Sequence, residues 1–151
     1  MKRREFVHSA AGVATALTFP IVWTPAADKK TERVLYFTRN VGFYHSVVQR
    51  TGDALSHSER ALVEMGERIG VEVVCTKDGR VFDDSLDDYA AIAFFTNNDL
   101  TLPNPQQEPP MSAAGKQNLL DSIAGGKGFI GFHSSCACWR TLPQRMASLP
   151  S

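Results

Sequence analysis

Four short runs of β-forming apolar residues divide the chain: Val34-Leu-Tyr-Phe37 within Arg33–Thr38, Val71–Cys75, Ala90–Phe95 and Gly128–Phe132. Their apolar residues are largely consecutive rather than alternating. That pattern predicts strands buried on both faces, as in a parallel sheet covered by helices on either side. Between the first two runs, Leu55, Leu62, Met65 and Ile69 fall at helical spacing. A helix is therefore predicted from about Thr51 to Ile69, with Gly70 at its stop. Asp78-Gly79 marks a turn, and Ser85 can cap a short helical turn ending at Tyr89. Ser112 is placed to cap a second helix running to Ala124, with Leu119, Leu120 and Ile123 as its buried stripe and Gly125-Gly126 as its end. The segment from Thr96 to Met111, with Pro103, Pro105, Pro109 and Pro110, is too long for a mere connector and points to a functional loop. The order β-α-β-turn-β-loop-α-β predicts an α/β fold with a doubly wound, mostly parallel sheet.

Two of the apolar runs lead into a histidine. The first continues to Gly42-Phe-Tyr-His45-Ser, and the fourth ends directly on His133-Ser-Ser. Residues beyond the carboxyl ends of the strands line the ligand crevice of an open α/β sheet, so His45 and His133 are candidates for one site. The window Gly131-Phe-His-Ser-Ser135 has the shape of a nucleophile elbow with His133 in the nucleophile position. An imidazole there can act as general acid or base near neutral pH, and can equally hydrogen-bond a ligand or bind a metal.

Other polar clusters have plainer explanations. His57 is expected on a helix surface. Asp99 either turns the long loop or contacts a ligand. Asp83-Asp84 and Asp87-Asp88 lack the glycine and terminal glutamate of a calcium loop. Cys136 and Cys138 beside His133 lack a fourth zinc donor. Gly125–Gly128 lacks the pattern of a phosphate loop. No metal or cofactor is predicted. Three cysteines make no self-contained disulfide framework, and Cys75, within a strand run, is read as a small buried apolar residue.

The N-terminus is not read as fold. Met1-Lys-Arg-Arg-Glu-Phe6, a weakly apolar small-residue stretch from Val7 to Trp23 and Thr24-Pro-Ala-Ala27 resemble a twin-arginine export signal, with cleavage near Ala27. The stretch is marginal as a membrane span. Contact with the membrane is expected only in transit, and the mature protein is expected in the periplasm or outside the cell. The full chain has 16 basic and 16 acidic residues; losing Lys2, Arg3, Arg4 and Glu5 leaves 13 against 15, a charge of −2. Without a basic stripe interleaved with aromatics, nucleic acid is excluded as a partner. Residues 28–32 are then a linker ahead of one domain of ordinary size.

Three segments together, Arg33–Thr38 with Gly42–Ser46, Phe94-Phe-Thr-Asn-Asn-Asp-Leu100, and Gly126–Ser134, resemble the ThuA-like (trehalose-utilisation) domain family over residues 33 to 135. The resemblance implies a flavodoxin-like fold related to class I glutamine amidotransferases, with histidine replacing the elbow cysteine, and a link to sugar metabolism. It implies that His45, Asp99 and His133 face one pocket, with Asn97 and Ser134 nearby. His133 and His45 would be the acid/base or binding groups, and Asp99, Asn97 and Ser134 would contact a small carbohydrate. Beyond Ser135 the family continues with further helices and at least one strand. Cys136–Ser151 carries no strand run, so 136–151 is read as an atypical tail and the sheet as incomplete at its C-terminus. Three expectations follow: an exported protein acting on a sugar or oxidised sugar, a non-catalytic sugar-binding module, or a truncated fragment without function.

Overall fold

The computed structural model describes residues 31–139. The expected export signal, most of the expected linker and residues 140–151 lie outside them. Strands β1 (Glu32–Phe37), β2 (Val71–Thr76), β3 (Ala91–Phe95) and β4 (Gly128–Phe132) form one sheet in the order β2-β1-β3-β4. Every pairing is parallel; Val34 lies opposite Val73 and Ala91, and Phe95 opposite Phe132. This is the flavodoxin-like, doubly wound α/β order, which reverses direction between β1 and β3. Helix α1 (His57–Ile69) follows β1, and α2 (Ala113–Ala124) precedes β4. Among the described residues no helix is long and apolar enough to cross a membrane.

The core lies on the α2 side of the sheet. Leu35 and Phe37 of β1, Ile92 and Phe94 of β3, and Leu119 of α2 pack with Phe82, Leu100 and Met111. Phe37 meets Phe82 edge to face, with ring centroids 4.9 Å apart, a favoured aromatic geometry. Two of these core residues, Leu100 and Met111, belong to the proline-rich loop. Backbone N–H of Met111 donates to Leu100 O at 3.0 Å, closing the loop back on itself. The loop thus caps the core at the carboxyl end of the sheet.

Helix α1 starts six residues later than the spacing predicts, because Ser56 supplies a stronger start signal than Thr51. Its Oγ accepts from Glu59 N, while the Glu59 carboxylate accepts from Ser56 N at 2.8 Å. This reciprocal capping box satisfies two donors that the first turn would otherwise leave unpaired. The predicted apolar stripe is also rotated. Gly66 is the residue pressed on β2, where a Cβ would stand 2.6 Å from Val71 O. Met65 and Ile69 are 57% and 75% exposed, and Leu55 precedes the helix. In α2, Leu119 is buried and Ile123 half-buried, but Leu120 points outward. Burial of every strand on both faces does not hold either. All five residues of β4 are exposed, since it is the edge of the sheet among the described residues.

The residues after β4 are packed where an irregular tail was expected. Ser135–Ala137 form a 3₁₀ turn and Cys138 is buried in the core, its carbonyl accepting from Leu100 N at 3.2 Å. A second close approach occurs at Gly79, whose N–H donates to Pro109 O at 2.9 Å. A Cβ on Gly79 would lie 2.3 Å from Met111 N and 2.5 Å from Pro110 C. Backbone cannot yield as a flexible side chain does, so Gly79→Ala is expected to destabilise by about 1–3 kcal/mol. A urea midpoint equal to wild type would refute that contact.

Candidate functional site

The reversal between β1 and β3 opens a crevice at the carboxyl ends of the strands, and side-chain amides build its rim. Asn40 Nδ2 donates to Thr38 O at 3.1 Å and Phe95 O at 3.3 Å, tying the ends of β1 and β3. Asn97 Oδ1 accepts from Val41 N at 2.8 Å, and its Nδ2 donates to Phe43 O. Asn98, with φ of 52°, donates to Val41 O. These bonds hold the loop carrying His45 over the end of the sheet.

His133 arrives from the other side. Its φ is 57°, in the left-handed region that non-glycine residues seldom occupy. Such a backbone turn lifts the side chain out of the line of β4, as expected for an elbow. The His45 and His133 rings meet with centroids 4.3 Å apart and planes at 64°. Phe95 stacks on His133 at 5.8 Å, and Phe43, 68% exposed, meets His45 edge to face at 4.6 Å.

The Ser134 hydroxyl ties the elbow to the end of β3, donating to Thr96 O at 3.3 Å and lying 2.9 Å from His133 Nδ1.

The five predicted residues are therefore placed differently. His45, His133 and Ser134 come together. Asn97 is buried beside them and positions the loop of His45. Asp99 sits in the following turn, where its carboxylate accepts from Thr101 N at 3.0 Å and Thr101 Oγ1 at 2.7 Å. His57 is on the surface, as expected.

A second polar cluster occupies the β1–β2 end of the crevice and carries no motif that would mark it in the sequence. Arg39 is wholly buried, and its guanidinium donates to the carbonyls of Leu100, Leu102 and Glu108. Burial pulls its pKa below the ordinary value, and the nearby Glu108 carboxylate opposes that shift. Glu108 accepts from Tyr44 Oη at 2.8 Å and Asn104 Nδ2 at 2.7 Å. Lys77 Nζ donates to Thr38 O and Val48 O, and lies 4.0 Å from Glu108 Oε1. Burial brings the Lys77 ammonium down to about 8, although both Glu108 and Glu59 favour its charged form. Tyr44 is pushed well above its ordinary range by burial and by Glu108. Tyr44, Gln49, Arg50, Lys77, Gln106 and Glu108 line a cleft of about 540 Å³.

In comparisons with family models, curated proteins and solved structures, nothing matches this chain.

The chemistry of the crevice thus rests on its own geometry. Among the described residues, no group of three or more His, Cys, Asp or Glu side chains comes together as a metal site would require. Burial, with help from Glu59, raises the Cys75 thiol to about 11, and burial also raises Cys138, so neither is an activated nucleophile. What the crevice offers is a pair of imidazoles with an aromatic border.

Proposed function

We propose that this chain belongs to an exported ThuA-like protein of carbohydrate metabolism, in which His133 and His45 act on a sugar or oxidised sugar derivative. The observation that carries the reading is the pair of imidazoles, 4.3 Å apart at the sheet reversal, one of them on an elbow of positive φ. His133 is the proton acceptor of the proposed reaction, and His45 is the partner that donates to, or orients, a ligand hydroxyl. Phe43 offers an exposed ring beside His45 against which the apolar face of a pyranose can lie. The resemblance of residues 1–27 to a twin-arginine export signal supports a periplasmic or extracellular location for the mature protein.

A second reading, a sugar-binding module without turnover, is favoured by the state of the possible nucleophiles. Ser134 Oγ lies within hydrogen-bond reach of Thr96 O, and burial raises both the half-buried Cys75 thiol and the buried Cys138 thiol. One experiment addresses both. Neutral and oxidised sugars are incubated with the full chain, products are followed by chromatography, and binding is followed by calorimetry. Turnover in wild type, reduced about 10²–10⁴-fold in His133→Ala, is the expected result. Turnover unaffected by His133→Ala would overturn the role of His133, and saturable binding without product would select the second reading.

A further inference from the structure

The cleft at the β1–β2 end differs from the histidine pair in residues and in chemistry. Each cation that lines it already has a carboxylate partner. Arg50 is doubly hydrogen-bonded to Glu59, at 2.8 and 2.9 Å, and the Lys77 ammonium faces the Glu108 carboxylate. A phosphate or carboxylate ligand would meet Glu108, and a cation would meet Arg50 and Lys77. The balance favours a neutral ligand.

The hydrogen-bond inventory of the two buried charges is incomplete in a complementary way. Lys77 has three donors and uses two on the carbonyls of Thr38 and Val48. Glu108 Oε1 accepts one bond, from Tyr44 Oη, and keeps a second lone pair. The third donor belongs to an ammonium that also lies 5.0 Å from the Tyr44 ring centroid, and it and the Glu108 lone pair sit on atoms 4.0 Å apart, too far to bond each other directly. A hydroxyl oxygen about 2.8 Å from both closes that gap, accepting from Nζ and donating to Oε1. A group that is donor and acceptor at once, as a hydroxyl is, satisfies both. Both side chains are largely buried, so the pair is held in place before anything binds. Gln49 and Gln106 at the rim carry exposed amides that can serve neighbouring hydroxyls.

From this we infer that the cleft between Lys77 and Glu108 is a binding site for a neutral polyhydroxyl ligand, one of whose hydroxyls bridges the two charges. The choice of sugars as that polyol rests on the carbohydrate reading above; the bridging geometry is independent of His45 and His133.

The test is amide-resolved NMR titration of the full chain with glucose, sorbitol, gluconate and inorganic phosphate. Saturable shifts of the Gln49 and Gln106 side-chain amides are expected with the neutral polyols, in wild type and in His133→Ala alike. Glu108→Gln, which removes the negative charge, is expected to weaken them about tenfold or more. Gln106→Trp fills the mouth of the cleft without touching the buried network, and is expected to abolish the shifts of the Gln49 side-chain amide even if Glu108→Gln folds poorly. Shifts that persist in Gln106→Trp but vanish in His133→Ala would move the polyol to the histidines, overturning the cleft while sparing the proposed function. Preference for gluconate or phosphate, or no saturable shift with any polyol, would also overturn the inference.

Discussion

Replacing Arg39 with methionine is expected to destabilise the protein by about 3–5 kcal/mol, the cost of breaking a buried, hydrogen-bonded charge site from one side. Methionine restores much of the apolar volume but none of the donors. The carbonyls of Leu100, Leu102 and Glu108, now bound by one guanidinium at 2.9, 2.6 and 3.3 Å, would lose it, and only Leu100 O would keep another donor, the Met111 N–H. Those carbonyls lie more than sixty residues along the chain from Arg39. The guanidinium is thus the stitch that fastens the proline-rich loop to the end of β1. A thermal melt should fall by about 10–20 °C for a domain of this size. Arg39→Lys should recover only part of the loss, because one ammonium cannot reproduce a planar fork aimed at three acceptors. A melt of Arg39→Met within about 2 °C of wild type would show that the loop is held by its apolar contacts alone.

The sheet was legible because its signal is local. Each strand lies in a run of five or six residues rich in apolar side chains, and the helix stops and caps at Gly70, Ser112 and Gly125 stand beside them. What was illegible is which side of each element meets the sheet. Gly66 lies against Val71 and Val73 while Met65 and Ile69 face outward. A glycine adds nothing to a hydrophobic stripe, so a close helix–sheet approach through it leaves no apolar signature. The exposure of β4 is similarly invisible, since Phe129, Ile130 and Phe132 read the same at an edge as in the interior. Ile130 is 53% exposed only because of its place in the strand order.

For the site, the two histidines were legible because strand ends converge at a reversal of strand order, which is a property of the fold rather than of any motif. The contact between His45 and His133 joins residues on opposite sides of that reversal. The cluster of Arg39, Tyr44, Lys77 and Glu108 was not legible. Its members come from three different connections and each looks like a solvated polar residue in isolation. Glu108 in particular lies in a stretch of prolines and glutamines that suggests an exposed turn, yet its carboxylate is held by Tyr44 and Asn104. Long-range burial of polar groups is decided by backbone carbonyls left over where loops pack, and the sequence does not mark those.

Glu59 should give the second large effect, and it ties stability to pH. Its carboxylate is fully buried and accepts from Arg50 at two positions, from Thr38 Oγ1 at 2.7 Å and from Ser56 N at 2.8 Å. Glu59→Ala removes the acceptor for all of these at once and should cost about 3–5 kcal/mol. Burial by itself would raise the Glu59 pKa, but the bonds from Arg50, Thr38 and Ser56, with the charge of Arg50, outweigh it and bring it to about 2. The folded value lies below the ordinary 4.5, so over that interval the unfolded chain binds more protons than the folded one. Stability from this group is therefore complete above about pH 5 and is lost as the pH falls toward 2, by an amount on the order of 3 kcal/mol. Glu59→Gln keeps the shape of the side chain and one acceptor while removing the titration. Urea midpoints measured at pH 7 and pH 3 should then differ markedly less in Glu59→Gln than in wild type. Equal acid sensitivity in the two proteins would mean that other carboxylates govern acid unfolding, and that the Arg50–Glu59 pair contributes packing rather than charge.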